Sequence, residues 1–357
     1  MTMYYYESAT TDPYENLALE EHLFETLPEG AGLFMLWQNT DAVIIGRYQN
    51  AAEEIDAAYV KENGIAVVRR MSGGGAVFHD LGGLNYTLIT DDAESPVPTD
   101  GSADADAVWQ ACMVPLLAVL RGYGLEAQFS GRNDIEIGGR KIAGCAQYAR
   151  GGRTLHHGCI LFDTDLSKVA AALDPGEAKF LSKSDKSVRT RVTTIRACLA
   201  AQREAAPGTA GSAVPDMHAF RQDLRAAYGQ MAAAGGLTPY ALSEADNAAI
   251  WRLREGKYRT WEWNYGYRAD YQVRRQKKFP AGLVTADMDV KGGVIERIHL
   301  SGDFFPAQAG STVEKIEQAL CGLPLNDELA ERIRAALDAD TVLHGISAAG
   351  LAALLLS

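Results

Sequence analysis

The stretch from Arg69 to Asn85 reads Arg-Arg-Met-Ser-Gly-Gly-Gly-Ala-Val-Phe-His-Asp-Leu-Gly-Gly-Leu-Asn, and it is the most informative segment of the chain. It follows an apolar run, residues 65–68, that is typical of a buried strand. Gly73, Gly74 and Gly75 carry no Cβ, so the backbone can adopt positive φ and bring its N–H groups close to a ligand. The common phosphate-loop patterns are absent, because no Lys-Ser/Thr follows the glycines and the Gly-x-Gly-x-x-Gly spacing is missing.

The residues around the glycines predict a ligand with an anionic part and an apolar part. Arg69 and Arg70 place positive charge before the loop, and Ser72 adds a hydroxyl. The step from Ala76 to Phe78 supplies apolar contact beside His79. The same glycines are also compatible with a tight turn between two strands, and the motifs elsewhere in the chain decide between these interpretations.

Five further motifs accompany the loop in a fixed order along the chain. They are Asn16-Leu17-Ala18-Leu19-Glu20-Glu21, Gly131-Arg132-Asn133-Asp134, Arg140-Lys141-Ile142-Ala143-Gly144-Cys145-Ala146-Gln147, His156-His157-Gly158 and Ser187-Val188-Arg189-Thr190-Arg191-Val192. With the glycine loop, this order resembles the lipoate–protein ligase A family of the biotin/lipoate ligase superfamily. The resemblance continues through 261–266 and 302–305, so it covers nearly the whole chain.

The resemblance implies an ATP-dependent ligase that makes lipoyl-AMP and pyrophosphate and then transfers the lipoyl group to a lysine of an acceptor domain. It implies ATP and Mg²⁺ as cofactors and lipoate or octanoate as the acyl substrate. The implied acceptors are the acyltransferase subunits of 2-oxoacid dehydrogenases and the glycine-cleavage H protein.

The resemblance also assigns the site residues, with Lys141 aligned to the family's essential lysine. A fixed ammonium would neutralise the charge that grows when a carboxylate attacks the α-phosphate. Asp134 is the candidate Mg²⁺ ligand, since Mg²⁺ takes one or two carboxylates plus phosphate oxygens. The predicted ATP- and lipoyl-AMP-binding residues are Arg70, Ser72, Gly73, Gly74, Gly75, Ala76, Val77, Phe78, His79, Asn133, Asp134, Lys141 and His157.

Simpler interpretations of these side chains stay open at the level of sequence. Lys141 alone is compatible with a solvated strand residue, and Asp134 with a turn residue. We expect His79 and His157 to pack against or shape the ligand rather than act as bases, and no Ser–His–Asp arrangement is evident. In the glycine-loop motif the family usually has Asn where this chain has Gly83, so no side-chain hydrogen bond is expected from that position.

Two other functions compete with the ligase: a cysteine-dependent acyltransferase and a lipoate-binding module that has lost catalytic turnover. A cysteine-dependent octanoyl or lipoyl acyltransferase needs a nucleophilic Cys shortly before the lysine strand, and residues 129–134 contain none. Cys145 and Cys159 are expected to be core thiols. A lipoate-binding module without turnover is disfavoured by the intact loop and Lys141. Biotin is disfavoured because the Gly-Arg-Gly-Arg loop typical of biotin ligases is missing.

Amino-acid composition limits which classes of binding partner and which cellular compartment are expected. The formal net charge of −12 disfavours nucleic acid, although residues 131–195 hold eleven Lys and Arg against seven Asp and Glu. That local excess suits ATP and an acidic protein, or reflects chance clustering. Five cysteines without a Cys-x-x-Cys, and a polar N-terminus, predict a cytoplasmic protein without a membrane partner.

The length of 357 residues and the order of elements predict two domains. We expect an α/β (α+β) fold, with a biotin/lipoate ligase-like catalytic domain on a mixed β-sheet over residues 1–245. A smaller α+β accessory domain is expected over 246–357, where 283–290 and 294–300 have the pattern of paired strands. This accessory domain is predicted to close over the nucleotide as a lid.

Overall fold

A mixed β-sheet lies at the centre of the first part of the chain. The computed structural model describes residues 2–91, 105–131, 133–173, 191–205, 214–232, 236–266, 271–305, 313–339 and 341–357. Arg132 and residues 187–190 of the predicted motifs lie outside these ranges. Within the described ranges, no helix is long and apolar enough to cross a membrane.

The large sheet has eight strands among the described residues. In spatial order they are β11 (Thr238–Pro239), β1 (Thr2–Glu7), β2 (Ala31–Trp37), β6 (Leu84–Asp91), β10 (Arg153–Ile160), β9 (Arg140–Arg150), β8 (Asp134–Ile137) and β7 (Ala127–Ser130). Strand β1 is parallel to β2 and β11, and the other neighbours are antiparallel. The predicted mixed sheet is therefore confirmed.

A second, smaller sheet carries the glycine loop. Its described strands are β4 (Ala66–Arg69), β3 (Ala42–Ile45) and β5 (Val77–His79), in that order. Strand β3 is parallel to β4 and antiparallel to β5. The loop of residues 70–76 therefore leaves a buried strand and returns as β5, which holds it at the edge of this sheet.

Helices pack on both faces of the large sheet and against the small sheet. They are α1 (Pro13–Thr26), α2 (Ala57–Glu62), α3 (Ala105–Gly122), α4 (Leu166–Ala172), α5 (Ile195–Ala205), α6 (Met217–Gly229), α7 (Glu244–Leu253) and α8 (Trp261–Tyr265). Of these, α2 and α4 share a core with the small sheet. Alternation along β2 divides the two faces, because Phe34 shares a core with α3 and α6 whereas Leu33 and Met35 share one with α1.

Helix α1 begins at a capping signal that is local in the sequence. Asp12 is its N-cap and accepts a hydrogen bond from the backbone N–H of Tyr14 at 2.9 Å, and Pro13 occupies the first turn. The helix buries Leu17 and Leu23 on its inner side. This local signal fixes the orientation of Glu20, which reaches the site described below.

The last part of the chain builds its own core. The antiparallel strands β12 (Val273–Phe279), β13 (Gly282–Lys291) and β14 (Val294–Gly302) pack against α9 (Val313–Leu320), α10 (Leu329–Leu337) and α11 (Ala348–Leu355), and β15 (Thr341–Leu343) pairs with β16 (Ile346–Ser347). Val284, Leu300 and Ile316 lie fully or almost fully inside this core. The predicted pairing of 283–290 with 294–300 is present.

The division between residues 245 and 246 stays a prediction. A cut at that point passes through α7, whose Ile250 packs in the same core as Leu17 and Tyr258. The core of the C-terminal part takes its buried residues from Phe279 onward. We therefore propose that residues 246–266 belong with the catalytic unit, and we place later truncations after residue 266.

Candidate active site

A cavity of about 640 Å³ lies between the large sheet and the glycine loop of the small sheet. Eleven of the predicted site residues line it: Arg70, Gly74, Gly75, Ala76, Val77, Phe78, His79, Asn133, Asp134, Lys141 and His157. Ser72 and Gly73 are not in the wall but directly behind it. Apolar side chains such as Leu17, Trp37 and Ile44 also line the cavity. The cavity can therefore hold a ligand with both an anionic part and an apolar part, as the loop predicts.

Lys141 is held at one end of the cavity by Asp134. Its Nζ lies 2.8 Å from Asp134 Oδ1, and both side chains are about one-third exposed. Burial opposes the charged form of Lys141, but the attraction and hydrogen bond of Asp134 outweigh it, so its pKa is raised above the usual value. The ammonium is therefore charged at neutral pH and faces the cavity.

Gly144 makes room for that ammonium. Asp134 pairs with Gly144 across the sheet, and a Cβ on Gly144 would lie 2.4 Å from Lys141 Nζ. Backbone pairing continues past Lys141, because its carbonyl accepts a hydrogen bond from Thr193 N–H at 2.9 Å. The glycine in the Ile-Ala-Gly-Cys-Ala pattern is therefore needed because a larger residue would displace the lysine ammonium, and it also leaves room for a ligand.

Asn133 fixes the turn that carries Asp134. Its Nδ2 donates to the Cys145 carbonyl at 2.9 Å, and its own carbonyl accepts from Cys145 N–H at 2.9 Å. These two bonds hold the start of β8 against β9. Asn133 lines the cavity, and its amide positions the neighbouring carboxylate.

Arg70 holds the glycine loop from behind. Its Nη2 donates to the carbonyls of Gly73 at 2.6 Å and Gly75 at 2.8 Å, and its Nε donates to Ser72 Oγ at 3.0 Å. Nη1 donates to the Ile44 carbonyl at 3.2 Å. Burial lowers the pKa of Arg70 to about 10, which still leaves it charged at neutral pH. Four of its N–H directions are used by the protein, so its main contact is with the loop itself.

A buried chain of hydrogen bonds, called the relay below, continues from Ser72, and it was not predicted from the sequence. Ser72 Oγ lies 2.6 Å from His157 Nε2, and His157 Nδ1 lies 2.8 Å from Glu20 Oε1. Thr87 Oγ1 donates to the same Glu20 oxygen at 2.6 Å. The three groups form a Ser–His–Glu chain, whereas the sequence showed no such arrangement. Ser72 is 1% exposed and outside the cavity wall, so the chain positions the loop rather than exposing a nucleophile.

The first two glycines of the loop, Gly73 and Gly74, lie against the C-terminal unit. A Cβ on Gly73 would lie 2.5 Å from the Phe304 carbonyl oxygen, and one on Gly74, where φ is +87°, would lie 2.8 Å from Phe305 Cζ. At Gly75 a Cβ would meet nothing within 4 Å. Of the three glycines, Gly75 is therefore the one whose Cβ position is open space.

Phe305 lines the cavity although it was not among the predicted site residues. Its ring meets Trp109 edge to face at 5.0 Å between centroids, and Gly74 N–H donates to the Phe304 carbonyl at 3.3 Å. Tyr48 stacks on Phe304 with centroids 5.4 Å apart. The Gly-Asp-Phe-Phe motif was visible in the sequence, but nothing local indicated that it reaches the glycine loop.

His79 packs in the wall. Its Nδ1 lies 3.1 Å from Asn39 Nδ2, and its ring meets Trp37 edge to face. Burial, with the charge of Arg70 next, lowers the pKa of His79 to about 3. The ring is neutral at physiological pH and is a poor proton acceptor.

Two thiols line the cavity without the features of a nucleophile. Cys145 is buried and Cys159 half-buried, and neither forms a disulfide with a described residue. Burial raises the pKa of Cys159 to about 12 despite the nearby Lys141 ammonium, so the thiolate is scarce at neutral pH.

The comparisons with known proteins agree with this geometry. The family described as the lipoyl protein ligase A/B catalytic domain matches residues 12–207, and the bacterial lipoate protein ligase C-terminus matches residues 268–355. The chain belongs to the lipoate–protein ligase family. It is 37% identical over 311 residues to lipoate-protein ligase LplJ of Bacillus subtilis, covering 87% of each chain.

Further relatives extend the match. Lipoate–protein ligase 1 of Staphylococcus aureus is 37% identical over 313 residues, again 87% of each chain. A structure of lipoate-protein ligase A bound with ATP is 25% identical with a TM-score of 0.58, over 74% of this chain and 98% of that one. A bipartite lipoate protein ligase with its E2 lipoyl domain from Thermoplasma acidophilum is 27% identical with a TM-score of 0.60, over 76% and 98%.

Proposed function

We propose that this lipoate–protein ligase condenses lipoate with ATP to lipoyl-AMP and then acylates a lysine of a lipoyl domain. The observation that carries the proposal is that the Lys141 ammonium, the open glycine backbone at Gly75 and an apolar wall line the same cavity. The ATP-bound relative and the relative described with an E2 lipoyl domain support the same reaction.

Lys141 is proposed as the catalytic residue of adenylation. Its ammonium would contact both the lipoate carboxylate and the α-phosphate, and would neutralise charge that develops as the carboxylate oxygen attacks phosphorus and pyrophosphate leaves. Asp134 keeps the ammonium in place through the 2.8 Å ion pair. The backbone from Gly75 to Phe78, held by Arg70, would bind the adenylate.

The carboxylates near Lys141 are suitable ligands for a Mg²⁺ ion that is bound to the phosphates of the nucleotide. Asp134 and Glu136 both line the cavity, and Mg²⁺ is commonly held by one or two carboxylates with phosphate oxygens. Among the described residues no group of three or more His, Cys, Asp or Glu forms a metal cluster. We therefore propose Asp134 as a ligand, with Glu136 beside it, to a metal that would offset phosphate charge.

The C-terminal unit is proposed to act as a lid. Phe305 lines the cavity, and Gly73 and Gly74 touch the same motif, so closure of this unit sets the loop that binds the adenylate. A chain ending after residue 266 should lose adenylate formation, and adding residues 267–357 as a separate piece should restore part of the rate. Full activity of the shortened chain would contradict the lid.

The acceptors proposed are the acyltransferase subunits of 2-oxoacid dehydrogenases and the glycine-cleavage H protein. The compartment proposed is the cytoplasm, because none of the five cysteines forms a disulfide among the described residues. A cysteine-dependent acyltransferase is disfavoured by the raised pKa of Cys159.

The test is to incubate an apo-lipoyl domain with the enzyme, lipoate, ATP and Mg²⁺. We expect the domain to gain the mass of one lipoyl group, with AMP and pyrophosphate formed in equal amounts. Acylation without ATP, or no modification in its presence, would contradict the proposal. A reaction omitting Mg²⁺ and containing a chelator checks the metal.

A further inference from the structure

Asn85 has a buried side chain that lines the cavity and whose oxygen has no partner. The residue is 2% exposed, and Oδ1 makes no hydrogen bond to any described residue. A buried acceptor without a partner has lost its bonds to water and gained none in return, which destabilises the unoccupied cavity. Such a group in a cavity wall indicates a ligand contact.

The other polar groups in and around this part of the wall are already engaged. Glu20, His157 and Ser72 bind one another, and Thr87 donates to Glu20. Trp37, which neighbours Asn85 on β2, donates its Nε1–H to Thr87 Oγ1 at 3.0 Å. Asn85 therefore differs from its surroundings, because its Oδ1 has no partner among the described residues and is left for the bound substrate.

The sheet register places Asn85 at a defined distance from Lys141. Asn85 pairs with Cys159 on β10, and Cys159 pairs with Gly144 on β9, above which the Lys141 ammonium lies. Two strand spacings separate Asn85 from Gly144, which is about 10 Å. Residues in one row of a sheet share a face, so this row forms one edge of the cavity floor.

That distance matches the tail of a lipoyl group. With the carboxylate at Lys141, five to seven bonds of about 1.5 Å in an extended zigzag put carbons 6 to 8 at roughly 6–9 Å. Carbons 6 and 8 carry the two sulfurs of lipoate and only hydrogens in octanoate. The substrate atoms near Asn85 are therefore those that distinguish the two acyl groups.

We propose that Asn85 is a specificity residue that favours the lipoyl over the octanoyl chain. This inference rests on the proposed ligase function. Because no bond fixes the Oδ1 end of the amide, a 180° rotation about χ2 can present either NH₂ or oxygen to the ligand. The NH₂ group can donate to a dithiolane sulfur, whereas an octanoyl methylene leaves the amide unpaired.

The experiment compares adenylation of lipoate and of octanoate by pyrophosphate release, for the full chain and for Asn85→Leu. Leu has nearly the shape of Asn without its polar atoms. We expect the ratio of kcat/KM for lipoate to that for octanoate to fall about tenfold, which corresponds to about 1.4 kcal/mol. A ratio that stays within about twofold of the parent, whether or not both activities fall, overturns the inference.

A matched pair removes the effect of shape. Val and Thr are isosteric and both suit a strand, so Asn85→Thr should retain more of the lipoate preference than Asn85→Val, because only Thr keeps a hydroxyl donor. This pair also decides the question if the Leu variant does not fold. Equal ratios in the two variants would overturn the inference. Binding of lipoate and octanoate by calorimetry gives a readout independent of turnover.

The outcomes for the inference and for the proposed function are distinct. A parent enzyme that releases no pyrophosphate with lipoate contradicts the ligase function itself. A parent enzyme that is active, with an unchanged ratio in the Asn85 variants, contradicts only the role of Asn85.

Discussion

Phe305 of the C-terminal unit lies against Gly74 of the catalytic loop so closely that a Cβ on Gly74 would be 2.8 Å from Phe305 Cζ. The same phenylalanine lines the cavity and packs edge to face on Trp109. The contact joins two units with separate cores. It therefore makes the shape of the loop depend on whether the C-terminal unit is in place.

Gly74→Ala and Gly75→Ala form a matched pair that tests this dependence. Gly74 has a φ of +87° and faces Phe305, so Ala there should lower the free energy of unfolding by about 1–3 kcal/mol. A Cβ at Gly75 meets nothing within 4 Å, so its variant should fold normally but raise the KM for ATP. Urea unfolding and pyrophosphate release measure the two effects. Equal destabilisation by both variants would show that Gly74 has no special dependence on the contact with Phe305.

Phe305→Ala should slow adenylation, because the loop loses the ring that supports it from the C-terminal side. We expect the KM for ATP to rise by about tenfold, equivalent to about 1.4 kcal/mol. Phe305→Leu keeps an apolar side chain and should retain more activity. A Phe305→Ala enzyme with the parent's ATP dependence would remove this contact from the mechanism.

Lys141→Ala should reduce adenylation by about 100-fold or more, since one fixed cation is lost from the developing charge. Asp134 would then line the cavity without its 2.8 Å partner. Lys291→Ala, at an exposed position in the C-terminal unit, is the control for removal of a lysine. Circular dichroism checks that the fold persists. Near-parental pyrophosphate release by the Lys141 variant would exclude it from catalysis.

Glu20→Gln should weaken the relay that ends at Arg70. Gln cannot supply the negative charge that compensates this buried guanidinium, so we expect the free energy of unfolding to fall by about 1–3 kcal/mol and adenylation to fall with it. Glu29→Gln, at an exposed position, should change neither. Unfolding curves and initial rates for the two variants measure the difference, and identical behaviour would show that the relay is dispensable.

Cys145→Ala and Cys159→Ala should each remain active ligases, because the raised pKa of Cys159 keeps its thiol protonated and Cys145 is buried. Rates of lipoyl-domain modification measure this directly. Inactivation of either variant, together with an acyl-thioester trapped on the parent enzyme in mass spectrometry, would establish the acyltransferase mechanism instead.

Some elements were missed for reasons of local chemistry. Strand β12 (Val273–Phe279) reads Val-Arg-Arg-Gln-Lys-Lys-Phe and is mostly exposed, so no apolar alternation marks it. Strand β5 (Val77–His79) is only three residues long and lies inside the glycine motif. Short or charged strands are formed by pairing with neighbours, and the sequence carries little record of that.

The sequence by itself determined the family, the mixed sheet, the helix start at Asp12 and Pro13, and eleven of the residues that line the cavity. These signals are local, since capping, periodicity and motif order depend on residues close together in the chain. Tertiary structure alone decided that Glu20 meets His157 across 137 residues and that Phe305 reaches Gly74. It also decided that Asn85 Oδ1 has no hydrogen-bond partner among the described residues. Such relationships depend on how distant elements pack, and packing is settled only when the whole chain has folded.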